Sequence, residues 1–146
     1  MPEEGIASLM RDCMKVLENK DGPRMLSFFA EDGVWITPEG TFRGKPELRR
    51  YLKWWFDSSQ DIKITESGNG IIVQGNKAFY EHVVTSTVRG KRVAALVMCS
   101  WEFTDGKIQH IRTVHDRLAL VKQAARGWPA RWIVNSIVKQ AEKGLR

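Results

Sequence analysis

Residues 78–117 read AFYEHVVTSTVRGKRVAALVMCSWEFTDGKIQHIRTVHDR. Arg89-Gly90-Lys91 and Asp105-Gly106-Lys107 cut this stretch into three long runs rich in Val, Thr, Ile and aromatic residues. A glycine at such a point supplies the positive φ of a tight turn, so the spacing predicts three antiparallel strands. Side chains at i and i+2 share a face of a strand. In 92–103 the odd positions (Val93, Ala95, Val97, Cys99, Trp101 and Phe103) are apolar throughout and are predicted to face inward. The even positions put Leu96 and Met98 on the outer face, where water is expected. Apolar side chains there predict a homodimer formed through the outer face of the sheet.

Upstream, Ile6, Leu9, Met10, Cys13 and Leu17 recur at helical spacing, predicting a helix over about 5–19. Asn19-Lys20-Asp21-Gly22 breaks it, and Pro23 suits the first turn of a short second helix. Asp32-Gly33 reads as the end of that unit, Val34–Thr37 as a short strand, and Pro38-Glu39-Gly40 as a turn. Thr41–Gly44 leads into a third helix from about Lys45-Pro46, with Leu48, Tyr51, Leu52 and Trp55 on one face and cations on the other. Ile62–Glu66 and Ile71–Gln74 read as two strands split by Ser67-Gly68-Asn69-Gly70. After the three long strands, 117–125 is a helix or an extended exit. Gly127-Trp128-Pro129 punctuates, and a last helix covers about 130–143. Helices first and strands later predict an α+β fold with helices packed on one face of an antiparallel sheet.

The chain has 146 residues, enough for one domain with its own core. No run approaches the roughly 20 apolar residues of a membrane helix. Met1-Pro2-Glu3-Glu4-Gly5 is polar and acidic, unlike a secretory signal, so a cytoplasmic protein is expected. Cys13 and Cys99 lie on apolar faces and read as buried thiols, the lesser alternative being a disulfide. The net charge of +6 is uneven: residues 122–146 carry six basic residues and one acid, and the rest is nearly neutral. This divides the chain into a body, 1–121, and a basic amphipathic extension, 122–146. In the extension, Ile133, Val134, Ile137, Val138 and Ala141 form an apolar stripe. It is expected to pack on the body or a partner subunit, the alternative being contact with an anionic membrane. The cations are sparse and no recognition fold accompanies them, so no nucleic-acid partner is expected.

Three stretches in this order carry a resemblance: Phe29-Ala30-Glu31-Asp32-Gly33-Val34-Trp35; Phe42-Arg43-Gly44-Lys45; and Phe103–Ile108 continuing to His115-Asp116-Arg117-Leu118. Over about residues 5–120 the chain resembles the nuclear transport factor 2-like superfamily, and within it the SnoaL-like, polyketide cyclase-related group. The resemblance implies a cystatin-like, cone-shaped sheet with the N-terminal helices on its concave face, a pocket inside, and pairing of subunits across the outer sheet. It implies no cofactor. It does not imply an activity, because the superfamily holds isomerases, cyclases, hydrolases and non-catalytic binders.

By the superfamily's register, Ala78, Tyr80, His82, Val84, Ser86 and Val88 face the pocket from the first long strand, and Gln109, Ile111, Thr113 and His115 from the last. Trp35 and Thr37 join them from the short first strand. These residues, with Cys99 and Trp101, imply a site for a small, mostly apolar, oxygen-bearing molecule. The superfamily's epoxide hydrolases use an Asp–Arg–Asp set, and the matching places here hold His82, Val84 and Thr113. Its ketosteroid isomerases use a tyrosine and two aspartates, and the matching places hold Cys13, Thr37 and Cys99. Both chemistries are therefore disfavoured.

His82 is then the leading acid–base candidate, since an imidazole titrates near neutrality. Tyr80 and Thr113 are expected to orient a substrate. Asp116 is a second candidate base if a bulge at the strand end turns it inward. Three histidines on two strands, one of them outward, do not make a metal site. The rival reading is a non-catalytic ligand-binding or interaction module.

Overall fold

The computed structural model describes residues 1–144. Arg146, counted above in the basic extension, lies outside the described residues, as does Leu145. Three helices, α1 (Glu3–Glu18), α2 (Gly22–Phe28) and α3 (Gly44–Ser58), accompany a six-stranded sheet. Its strands are β1 (Phe29–Thr37), β2 (Gly40–Arg43), β3 (Gln60–Gln74), β4 (Lys77–Val88), β5 (Lys91–Thr104) and β6 (Lys107–His115). They lie in the order β2-β1-β6-β5-β4-β3. Two helices follow, α4 (Arg117–Ala124) and α5 (Gly127–Ala141). The boundary read at 121/122 falls within α4, and among the described residues no helix is long and apolar enough to cross a membrane.

The three long strands form the predicted meander. β4 and β5 pair from Lys77↔Glu102 to Val88↔Lys91, and β5 and β6 from Val97↔His115 to Thr104↔Lys107. Both connections have two residues at positive φ, Arg89 (50°) with Gly90 (76°) and Asp105 (50°) with Gly106 (72°). That backbone twist matches the twist of the strands it joins.

Several readings of the sequence change. The sheet is mixed, because β1 runs parallel to β6 (Trp35↔Ile111, Ile36↔Arg112). Asp32-Gly33 ends nothing: β1 runs through it, with a register shift between Phe29 and Val34. A Cβ on Gly33 would stand 3.1 Å from the Ile108 carbonyl, so the glycine is what lets β1 approach β6 here. Thr41–Gly44 reads as a lead-in to a helix, but Gly40–Arg43 forms β2 and pairs with β1. Finally, β3 is one strand with a bulge. The shift between Glu66 and Ile71 is taken up by Gly68 and Gly70 at positive φ, and Glu81 of β4 latches it by accepting from the backbone N–H and side-chain amide of Asn69.

The core sits between the concave face and α1–α3. Ile6, Met10 and Cys13 of α1, Leu48 and Leu52 of α3, and Trp101, Ile108 and Ile111 of the sheet are buried within it. Edge strand β3 is partly satisfied by helix α1, whose Glu18 accepts from the Ile64 N–H at 2.7 Å. A last correction concerns β6. Its bulge, opposite Glu102/Phe103, puts Ile108 inside and turns Gln109 out, where its amide donates to Asp32. Gln109 is therefore not an inward residue, while Ile111, Thr113 and His115 keep the expected parity.

Candidate active site

The concave face is not filled by its own side chains. A cavity of about 1120 Å³ lies between β4–β6, the C-terminal half of α3, and α4–α5. Trp35 and Trp101 contribute to its lining without closing it, and Phe103 packs behind, against Trp101. The apolar lining comes from strand residues such as Val84, Val93 and Val97, and from Leu120 and Val134 of the two C-terminal helices.

The parallel β1–β6 pair brings the C-terminal ends of both strands to one side of the cavity. The turn after β1 carries Glu39, and β6 ends at His115. Glu39 Oε1 lies 3.4 Å from His115 Nε2 and 3.6 Å from Arg117 Nε. Both members of the Glu39–His115 pair line the cavity, with side chains only 17% and 13% exposed. The Thr37 hydroxyl accepts the Glu39 backbone N–H at 3.1 Å and donates to the Gly40 carbonyl, which fixes the turn. Burial alone would raise the Glu39 carboxyl, but hydrogen bonding to His115, the charge of His115 and the Thr37 hydroxyl outweigh it. The carboxylate is thereby held below its ordinary range. Its Oε2 is buried and has no hydrogen-bond partner among the described residues.

Tyr51 of α3 lies beside this pair. Its ring packs edge-on against Trp35 (centroids 5.2 Å) and stacks on Phe42 (4.5 Å). Burial, then the charge of Glu39, pushes its phenol up, so it is a hydrogen-bond donor at neutral pH.

His82 lies in the β4 wall and is 4% exposed. Burial pushes its pKa down to about 4, an effect only partly offset by the backbone of Tyr80. It is a neutral imidazole at pH 7, and its Nδ1 lacks a well-formed hydrogen bond. Tyr80 stacks on it from behind at 4.2 Å and does not line the cavity. Burial raises the Tyr80 phenol to about 12. Thr113 does line the cavity, where it accepts from Trp35 Nε1 at 2.9 Å and lies 3.3 Å from Cys99 Sγ. Burial pushes the Cys99 thiol up to about 12, so no thiolate nucleophile is available there. Trp101 Nε1 is a further buried donor without a partner among the described residues.

Of the residues singled out in the sequence, Trp35, His82, Val84, Cys99, Trp101, Thr113 and His115 meet at this cavity. Thr37 and Tyr80 support it from outside. Asp116 does neither. The only bulge in β6 lies at Gln109 rather than at the strand end, and Asp116 caps α4 by accepting the Ala119 N–H at 2.9 Å. Its carboxylate is exposed. Glu39 and Tyr51 went unread. Strand parity says nothing of a turn residue, and an amphipathic helix face looks the same whether it meets core or cavity. Among the described residues, no group of three His, Cys, Asp or Glu side chains is arranged to hold a metal.

A curved six-stranded sheet with helices on its concave face and an internal cavity defines the nuclear transport factor 2-like class. The chain belongs to the SnoaL-like domain family, whose profile matches residues 10–111. Solved structures share the fold at low identity. An NTF2-like protein of unknown function from Burkholderia pseudomallei superposes with a TM-score of 0.74 at 16% identity, covering 86% of this chain and 100% of that one. TsrD from Streptomyces laurentii gives 0.73 at 19%, covering 85% and 97%. An LEH-like epoxide hydrolase from M. tuberculosis gives 0.71 at 18%, covering 93% and 97%. No curated protein matches the chain.

Proposed function

We propose that the cavity binds a small, mostly apolar molecule bearing a carbonyl or hydroxyl, and that Glu39 and His115 carry out proton transfer on it. The observation that carries this reading is the Glu39–His115 pair itself, 3.4 Å apart on the wall of an otherwise apolar cavity. A base must be deprotonated and within reach of its proton. Glu39 meets the first condition through its depressed pKa, and its Oε2, which no hydrogen bond holds among the described residues, meets the second once a turn of the carboxyl presents it to the cavity. His115 orients the carboxylate from its Nε2 side, and Glu39 returns the proton to the substrate at the end of the cycle.

The electron pair left behind moves onto the substrate oxygen. That developing charge needs preorganised donors. The Tyr51 phenol and the neutral His82 ring are of the right kind. His82 thus becomes a donor rather than the leading base, because an imidazole with a pKa near 4 is a poor proton acceptor at pH 7.

The test is deuterium exchange into a panel of apolar ketones incubated with the protein in heavy water. Glu39→Gln is expected to slow exchange by about 10²–10⁴-fold, the usual contribution of a positioned base. Equal exchange by wild type and Glu39→Gln removes the pair from the chemistry. The non-catalytic reading is supported by the absence of the Asp-based sets used by relatives. Ketones that bind without exchanging would favour it.

A further inference from the structure

We infer that the cavity takes an elongated apolar molecule ending in a carboxylate, and that Arg89 and Arg126 recognise that end. The inference rests on the cavity being a ligand site, as proposed above, and adds the shape and charge of the ligand.

The far end of the cavity from Glu39 is formed by the β4–β5 turn and the α4–α5 junction, with Arg89, Gly90 and Arg126 in its lining. The turn and the junction are fastened together. Lys91 Nζ donates to the Ala125 carbonyl, the residue before Arg126. The Arg126 guanidinium lies over Gly90, 2.6 Å from where a Cβ would stand. Glycine at 90 thus serves both the positive φ of the turn and the seat of the arginine. Among the described residues, neither Arg89 nor Arg126 is in an ion pair. The two acids that line the cavity are already engaged, Glu39 with His115 and Arg117, and Asp57 with Lys53. Two arginines without a counter-charge among the described residues, both in the lining of an apolar cavity, suit a carboxylate, which a guanidinium can bind through two parallel hydrogen bonds.

The distance between the two ends sets the length of the ligand. His115 is level with Val97 on β5, and the arginine end is level with Lys91. Six residues of strand span roughly 20 Å. Between them Val93, Ala95 and Val97 present an unbroken apolar strip to the cavity. A chain or fused-ring body of about that length would place its acid at the arginines and an oxygen at Glu39–His115.

Dodecanoate and dodecan-1-ol, which differ in the headgroup alone, test this. Trp35, Trp54, Trp55 and Trp101 all line the cavity, so intrinsic fluorescence reports binding. The wild-type chain is expected to bind dodecanoate about tenfold more tightly than the alcohol, as a charge-assisted contact would give. Arg89→Gln/Arg126→Gln should bind both alike while keeping its affinity for the alcohol, which shows that it is folded. Arg89→Gln/Arg126→Lys, which keeps one charge but no fork, should restore part of the preference. Equal affinities in the wild type, binding of neither compound, or a preference that survives in the double glutamine variant overturns the inference. Glu39→Gln should keep the acid preference, so failure of the proton-transfer reading is seen separately.

Discussion

At the scale of single residues, His82 makes the most exposed claim about pH. In the unfolded chain its imidazole takes a proton near 6.5, and in the fold only near 4. Between those values the unfolded state binds more protons, so lowering the pH favours unfolding. The stability His82 leaves intact above pH 6.5 is lost progressively as pH falls to 4, on the order of 3 kcal/mol. Urea midpoints measured from pH 7 to pH 4 should fall more steeply in the wild type than in His82→Phe, which keeps the stack on Tyr80. Parallel slopes would show that the ring is not desolvated as described. His82 was legible from the sequence because strand parity is a strict period of two, and the same holds for Trp101 and Thr113. Glu39 was not, because its place depends on a pairing between strands 78 residues apart, as the Trp35–Thr113 bond shows.

At the scale of elements, α4 packs on β5, while α5 is attached mainly through α4. β6 ends opposite Val97, so Ala94 of β5, paired with Thr85 of β4 on one side, has no strand neighbour on the other. Gln123 of α4 fills the gap. Its Oε1 accepts from the Ala94 N–H at 2.8 Å and its Nε2 donates to the Ala94 carbonyl at 2.9 Å. A side-chain amide here does the work of one residue of strand. Of α5, Val134 is buried, while Trp128, Trp132, Ile133 and Ile137 are at least half exposed. Gln123→Ala is therefore expected to cost about 1–2 kcal/mol and to speed hydrogen exchange in α4 and α5 while β4 and β5 stay protected. Uniform exchange rates across the variant would mean that the helices are held by something else. Hairpins and amphipathic helices were readable because their signals are local. The β3 bulge was misread as a break because Gly68 and Gly70 look like a turn until Glu81 is seen to latch them. The parallel β1–β6 pair was invisible because nothing local distinguishes it from an antiparallel one.

For the molecule as a whole, the outer face of the sheet calls for a partner. Leu96, Met98 and Val114 are 51%, 36% and 62% exposed, and Met98 and Val114 are register neighbours on β5 and β6. Beside them Glu102 bridges Arg112 at 2.7 Å and faces His110 at 3.3 Å, a polar border to an apolar patch. We propose a homodimer through this face, the arrangement in which such a patch leaves water. Sedimentation should give a dimer for the wild type and a monomer for Leu96→Lys/Val114→Lys, with unchanged circular dichroism. A wild-type monomer at micromolar concentration would exclude it.

The order of the strands also has a consequence in time. β3 to β6 are neighbours in sequence and can zip by short hairpins, whereas β1 must find β6 across most of the chain, and contacts of high sequence separation form slowly. Until β1 docks, the meander holds His82 and His115, but Glu39 and the Thr37 that fixes it lie elsewhere. A half-assembled chain would have most of a cavity wall and no carboxylate in it. The proton transfer proposed above would therefore become possible only with the pairing of β1 and β6, the contact that closes the longest loop of the sheet.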